Sequence, residues 1–79
     1  MDGISKPVYD YFNNSYLYYI AYEECYMTDG QYDALCMDLL KNWNNLSEFE
    51  QSILDPDLLS AGSGYSIPME TYRKLGIAS

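Results

Sequence analysis

The sequence predicts an all-α fold, a small bundle of three to four short helices with a helix-turn-helix hairpin at its centre. Three observations carry this. Apolar residues recur at spacings of three and four over residues 8–20 and again over 32–43, the repeat of a helix with one buried face. Two segments, Thr28-Asp29-Gly30-Gln31 and Ser47-Glu48-Phe49-Glu50, have the form of capping boxes. Pro7 and Gly76 stand where helices open and close, since proline lacks only an N–H that a first turn leaves free and glycine tolerates the left-handed cap.

Taken in order, residues 1–6 are short and polar, include Gly3, and read as a loose arm. From Val8 to about Tyr22, Val8, Phe12, Tyr16 or Tyr19, and Ile20 form one helical face. Asn13, Asn14 and Ser15 are poor helix formers and the aromatic side chains lose rotamer freedom, so tertiary packing has to stabilise this helix. Residues 23–27 form a tight connector. Thr28 then caps a second helix, with Gln31 reaching back and Asp29 in the first turn, where the helix dipole favours negative charge. Tyr32, Leu35, Cys36, Leu39, Leu40 and Trp43 make its apolar stripe, which ends near Asn44-Asn45 and completes a hairpin over 7–45.

Residues 46–79 hold further short helices and a Gly/Ser loop. Ser47 opens a helix that includes Phe49, Ile53 and Leu54 and stops at Asp55-Pro56, because the residue before proline avoids helical angles. Residues 60–64, Ser-Ala-Gly-Ser-Gly, read as a flexible loop without the strand and lysine of a phosphate-binding loop. Ser66 and Pro68 precede a final helix over 69–75, where Arg73 and Lys74 sit in the last turn as the dipole favours. The whole of 1–79 is one domain, whose core supports a stability of only about 5 kcal/mol.

Composition narrows the function classes. Twelve acidic against four basic residues give a net charge of −8, which repels nucleic-acid backbones and anionic membranes and suits a basic protein partner. Ten tyrosines each carry a hydroxyl that needs water or a partner, so several belong at a surface or interface. Two cysteines without any histidine do not complete a zinc site. Cys36 falls on the apolar face of the second helix. Cys25 falls in the connector beside Glu23 and Glu24, which raise its pKa and leave it a poor nucleophile. No run approaches the roughly 20 apolar residues of a membrane span, and a reducing, cytoplasmic setting with both thiols free is expected.

The densest signal is Tyr16-Leu17-Tyr18-Tyr19-Ile20 followed by Thr28-Asp29-Gly30-Gln31-Tyr32-Asp33. Aromatic rings can sandwich a flat heterocycle, and carboxylates four apart on a helix start can accept hydrogen bonds from hydroxyls or an amide. The alternative is structural, with Tyr16 and Tyr19, or Tyr18 and Tyr22, filling the seam between two helices and Asp29 and Asp33 serving as ordinary first-turn and exposed helical residues.

Over about positions 12–43 the chain resembles the N-terminal Ia domain of NAD-dependent bacterial DNA ligases, whose members read Tyr-x-Tyr-Tyr/His, a turn, then Asp-x-x-Tyr-Asp and a leucine-rich helix. That domain is a helical cap that grips the nicotinamide mononucleotide half of NAD. The resemblance implies Tyr18, Tyr19, Asp29, Tyr32 and Asp33 as ligand residues, with Tyr18 and Tyr32 against the nicotinamide and the aspartates taking polar contacts from its amide or ribose. It departs from the family in having Asn13 and Asn14 where His or Arg often stands, and a longer turn before Asp29. None of Lys6, Lys41 or Lys74 begins the ligase Lys-x-Asp-Gly motif.

The expectation is therefore a non-enzymatic module. It recognises the nicotinamide end of NAD weakly, or serves as accessory to an NAD-using or DNA-processing enzyme. The competing expectation is a small acidic protein of the kind a phage uses to bind and inhibit or redirect a host protein in the host cytoplasm, by imitating DNA phosphates in the extreme case. Neither reading requires a metal, direct nucleic-acid contact or a membrane.

Overall fold

The computed structural model describes residues 4–78 and is helical throughout its regular elements: α1 (Lys6–Tyr16), a π-helical turn (Leu17–Ala21), α2 (Asp29–Lys41), a 3-10 turn (Trp43–Asn45), α3 (Glu48–Ile53), α4 (Pro56–Ala61) and α5 (Met69–Lys74). The all-α bundle is as the sequence predicts, with one α-helix more than the expected three to four. The added element is α4. Asp55-Pro56 ends α3, as expected, but also starts the next helix: the Asp55 carboxylate accepts from the Asp57 N–H at 2.9 Å, and Pro56 occupies the first turn.

Both capping boxes form. Thr28 accepts from the Gln31 N–H at 3.1 Å while the Gln31 side chain accepts from the Thr28 N–H at 2.9 Å, and Ser47 with Glu50 repeats the pattern at the start of α3. Glu50 does more than cap. Its second oxygen accepts from the Ser5 N–H at 2.8 Å and from the Ser5 hydroxyl at 2.9 Å, tying the start of α1 to the start of α3 across 45 residues. Of the expected loose arm, residues 1–3 lie outside the described residues, whereas Ser5 is held by Glu50 and Ile4 packs against the core.

Every α-helix except α3 places a side chain in the core of Val8, Tyr11, Phe12, Cys36, Leu39, Leu54, Leu59, Ile67, Tyr72 and Leu75, and Leu54 joins it from the end of α3. α2 packs against both α1 and α4. The α1 face turns slightly from the expected one: Tyr11 and Ser15 are buried along with Val8 and Phe12, while Tyr16 and Ile20 pack at the margin. The added burial comes from α2 and the turn after α4: the Tyr32 ring stacks on Tyr11 at 5.6 Å, the Tyr11 hydroxyl donates to the Ser63 carbonyl at 2.8 Å, and Gly64 lies against Ser15, while Tyr72 of α5 meets Phe12 and Tyr16 edge-on at 6.4 and 5.2 Å.

The Gly/Ser segment is a packed turn. Gly62, at φ 64°, caps α4 with its N–H bonded to the Leu59 carbonyl, and the Ser63 N–H reaches the Leu58 carbonyl at 3.0 Å, the paired bonds of a left-handed helix cap. Gly64 is buried, and a Cβ there would run into Ser15 and come within 2.9 Å of the Tyr32 hydroxyl. These glycines let the α4–α5 connection sit directly on α1 and α2.

Candidate functional site

Where α1 gives way to the π-helical turn, the chain opens a cleft of about 720 Å³ between the end of α1, the connector and the start of α2. That volume lies in the range of small-molecule sites. A π-helical turn bonds i to i+5 and breaks the 3.6-residue rhythm, so successive residues no longer fall on the faces an α-helix would give them. Tyr18 and Tyr19 both line the cleft as a result, their rings edge-on at 4.8 Å, while Ile20 stays packed against the core. The turn closes at Tyr22, which adopts a left-handed conformation (φ 54°) rare for a tyrosine, with the Glu23 N–H bonded to the Leu17 carbonyl at 2.9 Å.

The connector is pinned from outside. The Tyr26 hydroxyl donates to Asp10 Oδ1 at 3.2 Å, which positions Glu23, Cys25 and Met27 along one wall. α2 supplies the opposite wall through Asp29, Gly30, Tyr32 and Asp33, with Gly62 of the α4 cap beside them. Gly62 is in direct proximity to the Asp33 carboxylate, since a Cβ there would collide with Asp33 Oδ1. All five residues expected from the sequence, Tyr18, Tyr19, Asp29, Tyr32 and Asp33, thus meet in one cleft.

Their roles are not equal. Tyr18 is 57% exposed, its ring held only edge-on against Tyr19. Tyr32 is anchored: its ring stacks on Tyr11 at 5.6 Å and 19°, and its hydroxyl lies 2.6 Å from Ser15 Oγ. The Ser15 hydroxyl donates to the Tyr11 carbonyl at 2.7 Å, so the Tyr32 hydroxyl is the donor to Ser15 and keeps an acceptor lone pair. Burial raises the Tyr32 pKa well above the ordinary phenol value, so the group stays neutral. The seam alternative fails for Tyr18 and Tyr22, which are exposed, and holds in part for Tyr16, which packs on Tyr72.

Sequence reasoning named Asn14 as a poor helix former and as a departure from the resembled family, and did not place it among the site residues. It lines the cleft, is only 5% exposed, and its Oδ1 is buried with no hydrogen-bond partner. The available signal was an asparagine inside a helix, where its propensity is poor and a tertiary reason is needed. Cys25 is also in the wall, and its thiol lies 3.8 Å from the Asn14 carbonyl; burial and then Asp29 raise its pKa, where Glu23 and Glu24 were expected to do so. Cys36 is fully buried, as expected, and burial pushes its thiol up to about 11.

The lining includes the carboxylates of Glu23, Asp29 and Asp33 and no lysine or arginine. Asp29 occupies the first turn of α2 and so already meets the positive end of that helix. Among the described residues no cluster of acidic, cysteine or histidine side chains suits a metal ion, and no helix is long and apolar enough to cross a membrane. No family model matches the chain, and neither the curated proteins nor the solved structures contain a significant match.

Proposed function

We propose that this protein is a non-catalytic recognition module that takes the nicotinamide end of NAD, or a flat heterocycle like it, into the cleft between α1 and α2. The observation that carries the reading is the convergence of Tyr18, Tyr19, Asp29, Tyr32 and Asp33 on one cleft of about 720 Å³, as the DNA-ligase Ia resemblance implies. Tyr18, exposed and edge-on to Tyr19, supplies a ring that can close over a heterocycle. Asp33 and Asp29 accept from amide or hydroxyl donors, and the remaining lone pair of Tyr32 does the same. Stacking is worth about 1–3 kcal/mol per ring, which places an isolated module at weak affinity, on the order of millimolar. An NAD-using or DNA-processing enzyme that supplies basic groups for the phosphates would tighten it.

Titration of isotope-labelled protein with nicotinamide mononucleotide and NAD, followed by amide NMR, tests the reading. Saturable shifts at Tyr18, Asp29, Tyr32 and Asp33 are expected, reduced at least about tenfold in affinity by Tyr18→Ala, which removes the stacking ring. Absence of saturable shifts at several millimolar overturns it.

A second reading is favoured by a specific feature. Tyr65, 79% exposed, meets Tyr19 edge-on at 6.0 Å, so Tyr65, Tyr19 and Tyr18 form a contiguous aromatic rim beside carboxylates on a chain of net charge −8. Such a rim fits a basic protein partner, with tyrosines as anchors, in the manner of an acidic phage-type inhibitor or DNA mimic. Separate Tyr65→Ala and Asp33→Asn variants discriminate: the nucleotide reading expects loss with Asp33→Asn, and the protein-binding reading expects loss of the complex with Tyr65→Ala.

A further inference from the structure

Three helical elements of this chain end on a left-handed residue. Gly62 closes α4 at φ 64° and Gly76 follows α5 at φ 74°, but the residue that closes the π-helical turn is Tyr22, at φ 54°. The bond from the Glu23 N–H to the Leu17 carbonyl explains why the backbone turns left-handed there, and not why a tyrosine does so. A glycine would make the same bond without crowding a Cβ against the following carbonyl. Packing of the Tyr22 ring does not offset that cost, since it is 86% exposed. A strained backbone that presents its side chain to solvent points to a contact made outside the chain.

We propose that Tyr22 and the connector after it are a docking site for an arginine-bearing basic segment of a protein partner. The proposal rests on the basic-partner reading of the Tyr18–Tyr19–Tyr65 rim and adds a second, separable anchor to it. Exposed Glu23 and Glu24 follow Tyr22 directly, and Tyr26 is 54% exposed, so two aromatic rings flank two carboxylates on a stretch outside regular helix. The four basic residues are Lys6, Lys41, Arg73 and Lys74, so none lies between positions 7 and 40, and Lys6 is already paired with Asp10 at 2.7 Å. Among the described residues neither Glu23 nor Glu24 is in an ion pair. The glutamates alone would attract any cation, and the ring makes the site selective. A guanidinium offers carboxylates a planar fork of donors and lies flat on a tyrosine face, which a compact, strongly hydrated ammonium does less well.

Hexa-arginine and hexa-lysine peptides, equal in charge, test this when titrated against the full isotope-labelled chain and followed by amide NMR. Saturable shifts at residues 22–26 are expected, with hexa-arginine binding about two- to fivefold more tightly. Tyr22→Gly is expected to remove that preference while raising the melting temperature by a few degrees, because it relieves the backbone. Tyr22→Leu keeps the bulk and the strain but has no π face, and is expected to remove the preference with the melting temperature unchanged. Glu23→Gln combined with Glu24→Gln is expected to weaken both peptides alike. Equal binding of the two peptides, or an arginine preference that survives both Tyr22 variants, overturns the proposal. A melting temperature lowered by Tyr22→Gly does so as well, since Tyr22 would then be held by packing. A preference that falls with Tyr65→Ala and not with the Tyr22 variants overturns the connector site and leaves the rim standing. No saturable shift with either peptide overturns both.

Discussion

Tyr11 and Tyr72 are both buried and both pack edge-on against Phe12, yet their hydroxyls have opposite circumstances. Tyr11 donates to the Ser63 carbonyl at 2.8 Å, whereas the Tyr72 hydroxyl is buried without a partner, and burial pushes its pKa up to about 12. Removing a bonded hydroxyl strands its acceptor, while removing an unbonded one relieves a desolvation cost. Tyr11→Phe is therefore expected to lower unfolding free energy by about 1 kcal/mol, and Tyr72→Phe to leave it unchanged or raise it by up to about 1 kcal/mol. Denaturant melts of the two variants check this, and a loss with Tyr72→Phe would show that the hydroxyl finds a partner in solution. The sequence could nominate tyrosines for the core but not tell these two apart, because the carbonyl that satisfies Tyr11 lies 52 residues away.

Among the elements, α3 is short and depends on its ends. Glu50 is buried; burial alone would raise its pKa, but bonds from the Ser47 N–H and from the Ser5 N–H and hydroxyl outweigh it and hold the carboxyl below its ordinary value. A depressed folded-state pKa contributes stability that is fully present above the unfolded value of about 4.3 and is lost as pH falls through the lower folded value. Thermal melts of the parent chain and Glu50→Gln are expected to differ most at pH 7, by about 1–3 kcal/mol, and to converge as pH drops below about 4. Parallel curves would exclude Glu50 as the source. The α4–α5 turn makes a second test at this scale. Gly64→Ala forces a Cβ against Ser15 and Tyr32 and is expected to cost about 1–3 kcal/mol. Gly76→Ala, where φ is 74° and nothing lies within 4 Å of the added atom, is expected to cost about 1 kcal/mol from the backbone alone. The capping boxes were legible because their partners lie three residues apart; the Gly64 constraint was not, because Ser15 and Tyr32 reach it only through the fold.

Over the whole molecule, a net charge of −8 is offset by few paired cations, with Lys6 on Asp10 at 2.7 Å and Lys74 on Glu70 at 3.8 Å, both in exposed helical pairs that contribute little. Self-repulsion then opposes the compact state. Raising sodium chloride from about 20 mM to about 500 mM, which shortens the screening length from about 20 Å to about 4 Å, is expected to raise the melting temperature by a few degrees. A fall would mean that local ion pairs outweigh the repulsion.

By itself the sequence determined the all-α class, four of the five α-helices, the two capping boxes and the segment that carries the candidate site, since periodicity, capping and turn chemistry act over three to eleven residues. It also nominated all five of the resemblance residues that line the cleft. Only the tertiary structure decided that Gly62 and Gly64 are packing positions and that Asn14 has a buried carbonyl oxygen with nothing to accept from, whereas the start of α4 at Asp55-Pro56 is local capping chemistry that the sequence carried and the reading missed. The first two depend on which surfaces meet across tens of residues, and a side chain's burial and hydrogen-bond partners are set by that meeting and not by its neighbours in the chain.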